Sequence, residues 1–367
     1  MASRFFIITK DLTMIFEIEE NVPIDATTKS NLWNLLEAHY LGYHIVAFEK
    51  YSLISDKMNK LFSEEPNMLR VIKAIKENKH NISSLKDFCC MYVKVVNNTQ
   101  EYQEYEKDGQ RIIKVPIKYF DVELSKCFII SEDISDGNFY LSMLYYAQQK
   151  NYYSIPQDIT FQCEVDNGGG SNTFKVFKQR ILEKKVTLCI VDSDRKSSLE
   201  DIRHDTTSGR VQNLVEEFRS CMKIATHYIL KVREKENLVR PSQYLEYPSF
   251  SHYKGLQHLQ QFENTQDEIY LGYVKLSRDS LFKSDELACT SLSITSDLRG
   301  IGKDGLQEFA EAKFYTSRFK KDRFIHAESV GDEIDLFSKI PDYLQEDYEE
   351  IVKNVFSHTC SYKRVKF

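Results

Sequence analysis

The chain has 367 residues, 42% of them hydrophobic and 13% aromatic, which allows two or three domains around a proper core. Its formal charge of −6 excludes a surface coated in positive charge for non-specific nucleic-acid binding, while leaving room for a local basic groove.

Residues 1–125 open with two apolar runs, Phe5 to Ile8 and Met14 to Ile18, separated by Lys-Asp-Leu-Thr and expected to pair as a hairpin. Helical periodicity follows, with Leu32, Leu35, Leu36 and Tyr40 on one face and Leu69, Val71, Ile72 and Ile75 on another. Between them Tyr43 to Glu49 reads as a strand ending in an acid. The polar segment 98–112 reads as a hairpin loop between strands Met91 to Val96 and Arg111 to Ile117. No chemistry is legible here, and the region reads as an N-terminal α+β unit for docking or regulation.

Residues 126–245 alternate strand and helix. The apolar run Cys127 to Ile130 ends on Glu132 and Asp133, and a helix follows with Phe139, Met143 and Ala147 on one face. A second strand, Ile159 to Cys163, leads into the turn Asn167 to Thr173 and a helix from Phe174 to about Lys184. A third strand, Val186 to Val191, is capped by Asp192-Ser193-Asp194. A helix from Val211 to Met222 and a fourth strand, Thr226 to Val232, run into Arg233-Glu234-Lys235-Glu236-Asn237, and Pro241 reads as a stop. Such alternation predicts an α/β domain with a parallel-rich sheet and helices on both faces.

Residues 246–367 read as mainly helical, with segments at Gly305 to Ala312 and Ile340 to Phe356. They hold the clearest basic and aromatic interleaving in the chain, where Arg318, Lys320, Lys321 and Arg323 alternate with Phe314, Phe319 and Phe324. That pattern fits either a wet amphipathic face or a track holding phosphates and stacking on bases.

Eight cysteines without a CxxC pair or Cys/His ligand spacing indicate free thiols in a reduced, cytoplasmic protein and no zinc module. The start has too short an apolar run for a signal peptide, and no run reaches the length of a membrane span.

In a parallel sheet the carboxyl ends of the strands line the ligand crevice, which brings Glu132, Asp192 and Asp194 toward one place. Carboxylates without His or Cys describe a hard-cation site for Mg²⁺ or Mn²⁺. Glu132 suits a metal ligand or a general acid/base, and Asp192 and Asp194 suit metal ligands. Glu234 and Glu236 could add ligands or pair with Arg233 and Lys235 at the surface. Lys196, just past Asp194, could contact a phosphate or simply be solvated. Gly168, Gly169, Gly170 and Ser171 could cradle an anion, yet no Gly-Lys-Ser/Thr follows, so this is not a Walker A loop. A strand-to-helix turn with Ser171 or Asn172 as N-cap accounts for the same residues.

Glu132-Asp133-Ile134-Ser135-Asp136 resembles the Glu-Gly-x-x-Asp motif of the Toprim domain, and Asp192-Ser193-Asp194 resembles its Asp-x-Asp motif. The Gly-Gly-Gly-Ser-Asn turn and Arg233 to Leu238 are most similar to its nuclease branches, the OLD-type effector nucleases of bacterial phage defence. The resemblance covers about residues 126–245, and Asp133 stands where the family usually has glycine. It implies a Toprim-like fold and a metal-dependent endonuclease acting on DNA or tRNA. It further implies Asp136 as a metal ligand, Glu236 as an inward, catalytic acid, and restraint by a separate partner such as an ATPase or a reverse-transcriptase/RNA sensor. A homo-oligomer is left open, as are a topoisomerase or primase and a catalytically silent Toprim-shaped binder.

Overall fold

The computed structural model describes residues 14–97, 103–157, 159–246, 251, 254–274, 337 and 340–361. The first unit runs β1 (Ile15–Ile18), α1 (Lys29–Leu41), β2 (Ile45–Phe48), α2 (Tyr51–Leu61), α3 (Pro66–Glu77), α4 (Lys79–Phe88), β3 (Met91–Val96), β4 (Gln103–Lys107) and β5 (Gln110–Pro116). Its strands lie in the order β2-β1-β3-β5-β4, and only β4 is antiparallel. All residues of β1 and β2 are buried, as expected for parallel strands covered on both faces.

Two expectations change here. Strands β3 and β5 run side by side in parallel, and the hairpin is instead β4–β5. It turns at Asp108-Gly109, with φ of 53° and 75°, the Asp-Gly pair that a tight hairpin favours. The run Met14 to Ile18 supplies β1, an interior strand with Phe16 opposite both Val46 and Val93. Phe5 to Ile8 lies outside the described residues. The unit is therefore α/β with a mostly parallel sheet rather than α+β.

The second unit runs β6 (Cys127–Ser131), α5 (Ile134–Gln149), β7 (Thr160–Phe161), β8 (Cys163–Asn167), α6 (Thr173–Leu182), β9 (Thr187–Val191), α7 (Thr207–Met222) and β10 (Ala225–Ile229). After it come α8 (Pro241–Leu245), α9 (Lys254–Gln260), α10 (Asp342–Thr359) and β11 (Cys360–Ser361). Strands β10-β9-β6-β8 form a parallel sheet. Alternation along the strands separates two faces. Phe128, Ile130, Cys189 and Val191 pack with Phe177 and Ile181 of α6 and Val211 and Leu214 of α7. Cys127, Ile129, Leu188 and Ile190 join Phe139, Met143 and Ala147 of α5 and Tyr348, Ile351 and Val355 of α10. Burying apolar area at about 25 cal/mol per Å² on both faces is what holds such a layered sheet.

The sheet strand after α5 is Cys163–Asn167, not Ile159 to Cys163; Thr160–Phe161 pairs antiparallel with β11 instead. As the sheet's edge, β8 needs no apolar run and carries Glu164, Asp166 and Asn167, which concealed it. Pro241 starts α8 rather than stopping the chain, because a first-turn position needs no N–H. Among the described residues no helix is long and apolar enough to cross a membrane.

Candidate active site

From β6 the chain crosses through α5 to β8 on one side, then through α6 to β9 on the other. The β6/β9 boundary is therefore the topological switch point, the place beyond the strand ends where open α/β sheets bind their ligands. Glu132 follows β6 and Asp192 follows β9 at that boundary.

Local hydrogen bonds shape each end. Buried Ser131 donates from Oγ to the Asp133 carbonyl (2.6 Å) and accepts from the Gly137 N–H (2.8 Å), closing the turn between β6 and α5. Asp133 has φ −128° and ψ 156°, an extended conformation open to any residue, so no glycine is required at this position. It N-caps α5: its Oδ1 accepts from the Ser135 N–H (2.9 Å), while Asp136 Oδ2 accepts from the Asp133 N–H (2.9 Å). The other Asp136 oxygen is ion-paired with Lys235 Nζ, which also donates to Ser135 Oγ (3.1 Å) and lies 4.0 Å from Glu236 Oε1. Both Asp136 oxygens are thus engaged within the protein, as a helix cap and a lysine partner.

The glycine turn serves as a brace. The Gly168 N–H donates to the Ser131 carbonyl (2.7 Å), the Gly170 N–H to the Glu132 carbonyl (2.9 Å) and the Gly169 N–H to Asn167 Oδ1 (2.8 Å). All three glycine amides have protein acceptors, which favours the turn reading over an anion cradle. A Cβ on Gly168 would stand 2.5 Å from the Ser131 carbonyl oxygen and 2.3 Å from Thr173 Oγ1, so the close approach needs glycine. Ser171 accepts from Arg210 Nη1 at 3.3 Å through its carbonyl, and neither Ser171 nor Asn172 caps α6 with its side chain.

Asp192 Oδ1 accepts from the Lys235 N–H at 3.1 Å. Ser193 Oγ donates to the Val232 carbonyl (2.6 Å), and the Ser193 carbonyl accepts from Ser208 Oγ (3.2 Å). The Asp194 N–H donates to the Arg233 carbonyl (3.0 Å), and Asp194 itself is left-handed at φ 57°. The Asp-x-Asp loop is thereby clamped between the start of α7 and the segment after β10. Lys196 lies just beyond, its N–H donating to the Glu200 side chain. Glu236 is buried in the short 3₁₀ turn Lys235–Leu238. Arg318, Lys320, Lys321 and Arg323 lie outside the described residues.

The electrostatics follow from crowding acids in a half-dry crevice. Burial, then the charges of Asp194 and Asp136, push the Glu132 carboxyl up to about 7, against a hydrogen bond from Thr207. Burial pushes Glu236 up to about 8; Lys235 opposes this, and Glu234 and Asp136 add to it. Asp192 is held well above the usual carboxylate range by burial and by Glu132, Asp136, Glu236 and Glu234. Glu132 Oε1 is buried without a hydrogen-bond partner. Among the described residues no three His, Cys, Asp or Glu side chains are gathered as a ready-made ligand cage. The donor set still suits a hard cation: it is all carboxylate, it is crowded, and it contains an orphaned buried oxygen.

Three residues of this neighbourhood escaped the sequence reading. Thr207, one residue past the α7 N-cap, reaches Glu132. Lys235 looked like a surface partner for its neighbours yet is only 12% exposed. Asp347 of α10 accepts from Tyr228 Oη (2.7 Å) and the N–H groups of Lys231 (2.8 Å) and Val232 (3.0 Å), anchoring the strand exit that leads to Lys235. Its signal was present, because Asp347 falls on the stripe Leu344, Tyr348, Ile351 where an apolar residue belongs.

No family model matches this chain, and no curated protein or solved structure matches it either.

Proposed function

We propose that this chain is a Mg²⁺- or Mn²⁺-dependent nuclease with a Toprim-like catalytic unit, in which Glu132, Asp192 and Asp194 hold the ion. The observation that carries the reading is the orphaned Glu132 Oε1 at the switch-point crevice it shares with the Asp-x-Asp loop. A bound divalent ion would supply charge neutralisation for the phosphate being cleaved. A Glu132 oxygen not taken by the ion would be placed to exchange a proton with the attacking water or the departing oxygen. Glu236 stands behind Lys235 as the further acid of the crevice.

The resemblance, rather than the geometry, supports the finer reading: DNA or tRNA as substrate and a toxic role in phage defence. It likewise supports restraint by a separate ATPase or reverse-transcriptase/RNA partner in the cytoplasm. Asp133 sits in ordinary extended backbone, so its presence gives no reason to prefer a silent scaffold.

The test incubates plasmid DNA and bulk tRNA with the protein, Mg²⁺ and the activating partner, comparing wild type with Glu132→Gln. Nicks or fragments from wild type alone support the reading. Relaxed circles indicate a topoisomerase, and full cleavage by a folded Glu132→Gln protein overturns the assignment.

A further inference from the structure

We infer that Lys235 is a resident cation of this crevice, its ammonium filling the place a second metal would take, so that the centre accepts one divalent ion. The inference rests on the metal-site reading above and adds the stoichiometry.

The geometry divides the acids into two groups. Asp136 is committed on both oxygens, one to the Asp133 N–H and the other to Lys235 Nζ. Glu236, 5% exposed in its side chain, lies 4.0 Å from the same ammonium. Asp136 and Glu236 therefore share a positive charge that the chain itself provides. Asp192 takes the Lys235 backbone N–H as its direct contact and feels the ammonium only through its charge. Glu132 keeps an unpartnered buried oxygen. The tethered ammonium is thus in direct contact with Asp136 and Glu236, while Glu132 and Asp192 feel its charge without contact and keep oxygens for a free ion.

Position makes the ammonium hard to displace. It is tethered twice, since the Lys235 N–H donates to Asp192 while its side chain crosses to the first turn of α5. A lysine that is 12% exposed beside acids that are 8% and 5% exposed gives up little hydration by staying, and leaving would strand both carboxylates.

The test is the Mn²⁺ stoichiometry, read from free Mn²⁺ by electron paramagnetic resonance, with no activity needed. Wild type is expected to bind one ion and to lose it in Asp192→Asn. Lys235→Met frees Asp136 and Glu236 and should bind two. Lys235→Arg keeps the charge and should stay at one. Lys235→Gln keeps a donor to Asp136 without the charge and should also reach two, which covers the case in which Lys235→Met does not fold. Two ions in wild type, or one ion with wild-type affinity in both uncharged variants, would overturn the inference while leaving the metal site standing. Binding that Asp192→Asn does not weaken, or no binding by any variant, would remove the site and the inference with it.

Discussion

Asp347→Ala tests whether the distant C-terminal helix builds the crevice. Asp347 is fully buried, and its carboxylate receives the Lys231 and Val232 N–H groups and the Tyr228 hydroxyl. Truncation leaves two backbone donors facing the hole, each costing about 1–3 kcal/mol when buried and unmet, and frees the phenol. The expected loss is about 3–5 kcal/mol, large for a single substitution. Asp347→Asn retains one accepting oxygen and should lose about half as much. Urea unfolding measures this as a lower midpoint with an unchanged slope. The damage should reach the site as well, because Lys231 and Val232 lead directly into Arg233 to Glu236, and Mn²⁺ affinity should fall in the folded fraction. An Asp347→Ala protein within about 0.5 kcal/mol of wild type, binding metal normally, would refute this account of how α10 fixes the crevice.

Gly168→Ala should destabilise by about 1–3 kcal/mol, since its Cβ meets the Ser131 carbonyl and Thr173; a wild-type melting temperature in that variant would contradict the brace. Without metal, stability should fall as pH rises from about 6.5 to 8; below that range the buried His39, His44, His227 and His358, pushed down by burial to about 3–4, make it rise with pH instead. The sign follows from Glu132 and Glu236, whose folded forms hold a proton more tightly than the unfolded chain. Their contribution is complete below about 4.5 and is lost as pH passes the folded values of about 7 and 8. At about 1.4 kcal/mol per tenfold change in proton affinity, Glu132 alone contributes on the order of 3 kcal/mol. Thermal unfolding in EDTA between about pH 6.5 and 8 measures it, and a flat or rising profile there would count against the crowded acids.

The second sheet was legible where physics marks the sequence strongly. β6 and β9 are apolar runs that end on acids, α5 is apolar around most of its circumference, and α7 carries a helical stripe. The acids were legible for the same reason, since burying a carboxylate at a strand end costs too much to serve packing alone. The edge strand β8 was not, because an edge residue need not be apolar. Nor was the parallel pairing of β3 with β5, which depends on β4 folding back across a two-residue turn. The role of Asp136 was half legible: its carboxylate was visible, but its engagement depends on Lys235, 99 residues later. Asp347 lies 116 residues from the amide of Lys231 that it receives, a separation over which no local pattern speaks.

The most direct measurement of the central claim is the melting temperature with and without Mg²⁺, for wild type, Asp192→Asn and Asp194→Asn. Binding to the folded state alone stabilises by about 2.7 kcal/mol at an ion concentration one hundred times the dissociation constant. Wild type should therefore melt several degrees higher with Mg²⁺, and both variants should lose that rise while remaining folded. A wild-type protein indifferent to Mg²⁺ and Mn²⁺, or an Asp192→Asn protein stabilised as much as wild type, would contradict a metal centre at this crevice.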